Sequence, residues 1–277
     1  MLIAVTVLAS AACSATPAPT STTARPVEQA TLTSTSTTTT TEAPTSTAAT
    51  ASFVTTGNRV DIYDAEPASH IVVLIHGVGS GPGSVEKLAN RLNEDGAIVV
   101  APNISLTGST ASMGTPTSET ACAVWFAHNL DTSVPLVMVG FSGGGLATGQ
   151  HVADPSRVAD ADLCSTPYEP TTIAGAVILD GPVWLEGYCR ATGFCDADDA
   201  SVSLFDPVAY ALPNPDLAME YFFSDDIADY PEEAAAMLDD RLGTTSPTTR
   251  SDTTHTGLLR PEFYDLYADA VLRIANG

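Results

Sequence analysis

Between Leu136 and Asp154 the chain reads LVMVGFSGGGLATGQHVAD, and no other stretch restricts the possible fold as tightly. LVMVGF is an almost unbroken apolar run, the composition of a strand buried on both faces. Ser142 follows at once among Gly140, Gly143, Gly144 and Gly145, and a helix-like pattern begins directly behind it. A chain that passes from buried strand to helix so abruptly crowds its own backbone, and residues without side chains tolerate the crowding best. The turn carries a small hydroxyl to the carboxyl end of a strand, the rim where open parallel sheets hold their ligands. GFSGG also suits a plain strand–helix turn whose glycines merely permit close packing, so its meaning depends on what else the chain supplies.

Around this turn the segments alternate in kind. NRVDIY (Asn58–Tyr63) alternates like an early strand, and HIVVLIHGVGSGPG begins as a β-branched run and dissolves into glycine. SVEKLANRLNEDG has helical spacing, with Ser84 as an expected N-cap and Gly96 as a stop. AIVVAPN reads as a buried strand, and SETACAVWFAHNL as a helix capped by Ser118. IAGAVILDGP and AMEYFF read as further strands. PEEAAAMLDDRLG, with Pro231 first and Gly243 last, and RPEFYDLYADAVLRIANG read as the closing helices. Strands alternating with helices predict an α/β domain with a mostly parallel central sheet and helices on both faces.

The predicted domain is residues 53–277. From Ser14 to about Ser52 the chain is mostly Thr, Ser, Ala and Pro, too poor in apolar area to offset its conformational entropy, and is expected to be a disordered tether. Residues 1–13, MLIAVTVLASAAC, form an apolar run too short to span a bilayer and shaped like an export signal. Cys13 after Ala11 and Ala12 resembles a bacterial lipobox, with Ser10 where Leu is usual. Export is the expectation, either as a cell-surface lipoprotein tethered to the membrane through lipidated Cys13 or as a secreted protein.

Cys122, Cys164, Cys189 and Cys195 make an even set, which suits disulfides in an exported protein. The close pair Cys189 and Cys195 is expected to close its own loop, leaving Cys122 to meet Cys164. Zinc is the rival, but no two cysteines stand at C-x-x-C spacing. The net charge of -23, from 33 acidic against 10 basic residues, argues against nucleic acid or an anionic membrane surface as the main partner.

Several segments in order resemble the α/β-hydrolase family across Phe53–Gly277. GFSGG resembles its nucleophile elbow, G-x-S-x-G. LIHGVGSG resembles its HG segment, which implies that Val78 and Gly143 donate backbone N–H groups to an oxyanion, with His76 shaping that loop. SDTTHTGLLRPEFYD places His255 just before the final helix, where the family's base falls, while His70, His128 and His151 read as structural or solvated. EYFFSDDIADYPEE fits the family's acid: Asp226 matches best, Asp225 and Asp229 are neighbours, and Asp180 in ILDGP would serve in a minority arrangement.

The resemblance thus implies Ser142, His255 and Asp226 as a triad cleaving small-molecule or lipid carboxylic esters through an acyl-enzyme. No cofactor or metal is implied. A lid insertion at about 181–216 carries Trp184, Tyr188, Phe194 and Phe205, either lining an acyl pocket or forming a small core of their own. Thioesterase, acyltransferase or peptidase chemistry could use the same residues, and a non-catalytic surface-displayed binding protein is the rival from another class.

Overall fold

Alternation inside the apolar runs decides the layering. The computed structural model describes residues 49–53, 59–106, 114–157, 161–193, 195–225 and 230–277; the signal-like run, Cys13 and most of the expected tether lie outside them. In chain order the elements are β1 (Ala49–Ser52), β2 (Arg59–Tyr63), β3 (His70–Ile75), α1 (Glu86–Glu94), β4 (Ala97–Pro102), α2 (Gly114–His128), β5 (Leu136–Phe141) and α3 (Gly143–Ala153). There follow β6 (Gly175–Leu179), α4 (Leu185–Thr192), α5 (Ala200–Phe205), α6 (Pro207–Tyr210), β7 (Ala218–Ser224), α7 (Tyr230–Leu242), β8 (Thr248–Ser251) and α8 (Tyr264–Asn276).

They build an 8-stranded sheet in the order β1-β2-β4-β3-β5-β6-β7-β8. β2 runs antiparallel to β1 and β4, and every pairing from β4 to β8 is parallel. All of β3 is buried, and its successive side chains enter opposite cores. Ile71, Val73 and Ile75 join Cys122 and Val124 of α2, Ala147 of α3 and Leu238 of α7. Val72 and Leu74 join Leu88 of α1 with Tyr267 and Val271 of α8. Each such buried aliphatic contributes about 1.5–3 kcal/mol, which explains why the runs predicted as two-faced strands are the centre of the sheet.

Four details differ from the sequence reading. Ala49–Ser52, the end of the expected tether, pairs with β2, satisfying backbone groups that the edge strand would otherwise leave open. Ser84 does not cap α1; its hydroxyl donates to Gly81 O at 2.7 Å and Val85 precedes the helix. Ser118 lies inside α2, which starts earlier at Gly114 with Pro116 in its first turn. β8, sequence TTRS, carries no apolar pattern because it is the outermost strand.

Disulfides join Cys122 to Cys164 and Cys189 to Cys195, with Cα separations of 5.1 and 4.8 Å, in the pairing that spacing predicts. The insertion between β6 and β7 holds α4, α5 and α6. Leu185, Cys189 and Val202 there gather around Leu146 of α3, with Tyr188 and Phe205 packed against them. Much of the insertion's apolar content is therefore a small core of its own; Phe194 lies outside the described residues. No described helix is long and apolar enough to cross a membrane.

Candidate active site

Ser142 sits at φ 56°, ψ -120°, a conformation that costs an L-residue about 1–3 kcal/mol and persists only where its surroundings enforce it. Those surroundings are backbone. Ser142 N–H donates to Leu179 O at 2.8 Å, and the N–H groups of Gly145 and Leu146 donate to Ser142 O at 2.9 and 3.2 Å. A Cβ on Gly140 would collide with Gly144 O, and one on Gly144 with the carbonyls of Ile75 and His76. On Gly145 it would come within 2.6 Å of Gly181 Cα. The elbow after β5 is thus wedged between the ends of β3 and β6, and side chains there would force it out.

The loop after β3 lies against the same turn. A Cβ on Gly143 would stand 2.5 Å from Val78 Cγ2 and 3.3 Å from Val78 N, so the two backbone N–H groups expected to donate to an oxyanion are neighbours. Gly143 is the first residue of α3, where N–H groups lack intrahelical acceptors and the helix dipole is positive. His76 fixes this loop. Its Nε2 accepts the Ile104 N–H at 3.2 Å, which places the proton on Nδ1, 2.8 Å from Gly77 O. Burial pushes its pKa below the ordinary 6.5, with the Gly77 contact opposing. Neutral and engaged at both nitrogens, His76 shapes the loop as expected and is not placed to accept a proton. Gly79 N–H donates to Leu106 O at 3.4 Å, and Ser105 is held through its N–H and hydroxyl by the buried Glu119 carboxylate at 2.6 and 3.0 Å.

His255 opens a short 3₁₀ turn after β8 and stacks on the Phe141 ring at 4.8 Å, directly beside Ser142 in the chain. Its Nδ1 is 2.9 Å from Asp180 Oδ2, and the Asp180 side chain is 0% exposed. Asp180 follows β6 with φ 50°, and its N–H donates to Phe222 O at 2.9 Å. Ser224, at the end of β7, donates its N–H to Oδ1 at 2.9 Å and its hydroxyl to Oδ2 at 2.5 Å. The carboxylate is buried but satisfied by three donors, which is what a charge in a dry site requires.

The expected acid Asp226, with Asp229, lies outside the described residues. Asp225 is half exposed and faces Arg250 at 3.7 Å. The described carboxylate on the imidazole is Asp180, the minority arrangement, where the family's usual pattern favoured Asp226. Ser224 was not foreseen; the only trace of it in the sequence is its place at the end of an aromatic strand. His70 is buried against Ser69 Oγ at 2.8 Å, His128 stacks on Trp125, and His151 is enclosed in α3. Among the described residues no group of three or more His, Cys, Asp or Glu is placed to hold a metal ion.

No family model matches the chain, and no curated protein matches its sequence. Solved structures do match its shape. An esterase of Thermogutta terrifontis, esterase 2 phosphoramylated by tabun, superposes with a TM-score of 0.63 at 15% identity over 84% of this chain and 96% of its own. Est1E from Butyrivibrio proteoclasticus gives 0.57 at 15% identity, covering 82% and 99%. Dienelactone hydrolase from Anabaena variabilis gives 0.53 at 17% identity, covering 82% and 94%. The chain has the α/β-hydrolase fold.

Proposed function

We propose that this protein is an exported serine hydrolase cleaving carboxylic esters, with Ser142 as nucleophile, His255 as general base and Asp180, in place of Asp226, as the acid that orients the base. The observation that carries the reading is the His255–Asp180 hydrogen bond at 2.9 Å on the rim where the strained Ser142 turn emerges. A carboxylate on Nδ1 fixes the tautomer whose lone pair is on Nε2, and stabilises the imidazolium that forms.

In the proposed reaction Ser142 Oγ bonds to the acyl carbon as its proton passes to His255 Nε2, and the carbonyl electrons move onto oxygen. Val78 and Gly143 N–H groups receive that oxyanion. Collapse restores the carbonyl and breaks the bond to the alcohol, which leaves with the proton from Nε2. Water then attacks the acyl-enzyme, giving its proton to His255, and the acid departs as Ser142 Oγ is reprotonated. The Thermogutta terrifontis esterase, phosphoramylated by tabun in one structure and propionate-bound in another, supports an ester-cleaving reading of this fold. The disulfides Cys122–Cys164 and Cys189–Cys195 support export, and lipidation of Cys13 would supply the anchor.

The test is hydrolysis of p-nitrophenyl acetate by the wild type, Ser142→Ala and His255→Ala. Turnover confined to the wild type is expected. Wild-type protein that is folded and inert would return the chain to the non-catalytic binding class.

A further inference from the structure

Beside the oxyanion donors lies a recess that none of the proposed chemical steps uses. It is lined by Val78, Leu106 and Pro116 and by Gly143, Leu146 and Gln150 of α3. Gly143, Leu146, Ala147 and Gln150 fall at helical positions i, i+3, i+4 and i+7, one face of α3, so the recess runs along the helix from the reaction centre. Gln150 closes the far end. Its Oε1 accepts the Thr117 hydroxyl of α2 at 3.1 Å, and its Nε2 donates to Phe205 O of the insertion at 2.8 Å. Both ends of the amide are engaged and the residue is 2% exposed, so it is a fixed stop.

Topology says which half of an ester enters. Val78 follows β3 and Leu106 follows β4, on one side of β5; Asp180 follows β6 and His255 follows β8, on the other. The leaving alcohol takes its proton from His255 and must lie on that side. The group directed into the recess is then the acyl chain. Seven residues of helix separate Gly143 from Gln150, about 10 Å of axis, and side chains lean toward the helix N-terminus, so the usable depth is shorter. The cavity volume is about 30 Å³, far below the roughly 300–1,000 Å³ of pockets that enclose drug-sized ligands, so only a short chain fits.

We propose that this recess is the acyl site, that Gln150 sets its depth, and that the enzyme selects esters of short unbranched acids, acetyl through butanoyl. This rests on the serine-hydrolase reading. The experiment measures kcat/KM for p-nitrophenyl acetate, butanoate and octanoate with the wild type, Leu106→Ala and Gln150→Ala. In the wild type, octanoate is expected to fall at least about tenfold below butanoate, the smallest effect typical of one misfitted methylene. Both variants are expected to narrow that ratio, Leu106→Ala by widening a half-buried wall and Gln150→Ala by removing the stop. An octanoate rate equal to or above butanoate in the wild type overturns the assignment, as does an unmoved ratio in folded Leu106→Ala. A series of acetate esters with lengthening alcohols, showing the same cut-off, would assign the recess to the alcohol and overturn it too. Absence of turnover on every ester would defeat the hydrolase reading itself; turnover with a flat or rising profile would defeat this inference alone.

Discussion

Replacing Asp180 by Asn changes almost no volume and isolates the charge on the imidazole. Ser224 N–H is a fixed backbone donor 2.9 Å from Oδ1, so the amide oxygen of Asn must face it. The NH₂ group then occupies the Oδ2 position, 2.9 Å from His255 Nδ1, while the Ser224 hydroxyl can rotate to accept. An NH₂ donor demands a lone pair at Nδ1, which moves the ring proton to Nε2. That tautomer cannot accept the proton of Ser142. Loss of the correct tautomer in a Ser-His-Asp site lowers kcat by about 10⁴, or about 5.5 kcal/mol of barrier. We expect a loss of about 10³ to 10⁴ in kcat/KM for p-nitrophenyl acetate at neutral pH, with thermal unfolding followed to show that the variant is folded. Asp226→Asn and Asp225→Asn, assayed alongside, should each stay within about tenfold of wild type, since the Asp180 carboxylate remains on Nδ1 in both. If Asp226→Asn is the more damaging of the set, or folded Asp180→Asn keeps near wild-type turnover, the reasoning from hydrogen bonds to acid is wrong.

Gly143→Ala would place a methyl 2.5 Å from Val78 Cγ2 and push the two proposed oxyanion donors apart, so kcat should drop on the order of a hundredfold or more; an unchanged kcat would remove Val78 from the oxyanion site. Burial, opposed by Asp154, lowers the His151 pKa from 6.5 to about 4. Between these values the unfolded chain binds the extra proton, so stability falls as pH drops from about 6.5 to about 4, by about 3 kcal/mol from this group. His76 and His70, also lowered by burial, act with the same sign. Urea melts of His151→Gln across that window should show a shallower slope than wild type, and an equal slope would refute burial of His151 as a source. Cys122 and Cys164 close a loop of 42 residues and Cys189 and Cys195 one of 6, so chain entropy assigns about 4 and about 2 kcal/mol respectively. Cys122→Ala/Cys164→Ala should therefore lower Tm about twice as far as Cys189→Ala/Cys195→Ala; the reverse order would show that loop entropy does not govern here.

The strand–turn–helix around Ser142 was legible because its requirement is local: backbone approaches at Gly140, Gly144 and Gly145 leave no room for side chains. The buried runs of β3, β4, β5 and β6 were legible for a similar reason, since two-faced burial leaves little but aliphatic residues. The place of His255 before α8 was legible in the sequence. Its contact with Asp180 was not, because which strand end faces the imidazole depends on the spacing of β6, β7 and β8 in three dimensions. The GP after Asp180 marks a turn, but nothing in ILDGP announces that the carboxylate meets Nδ1 or that Ser224 will hold it. β1 and β8 were missed because edge strands are held by backbone pairing, and ATAS and TTRS need no apolar pattern to pair.

The most direct measurement is peptide mapping of the folded protein after exposure to a fluorophosphonate. A single phosphonylated peptide is expected, with the adduct on Ser142, absent in Ser142→Ala and formed far more slowly in His255→Ala and Asp180→Asn. A folded protein that takes up no label, or takes it at another residue, or is labelled at Ser142 with equal speed in His255→Ala, contradicts the claim that this serine is activated by that histidine.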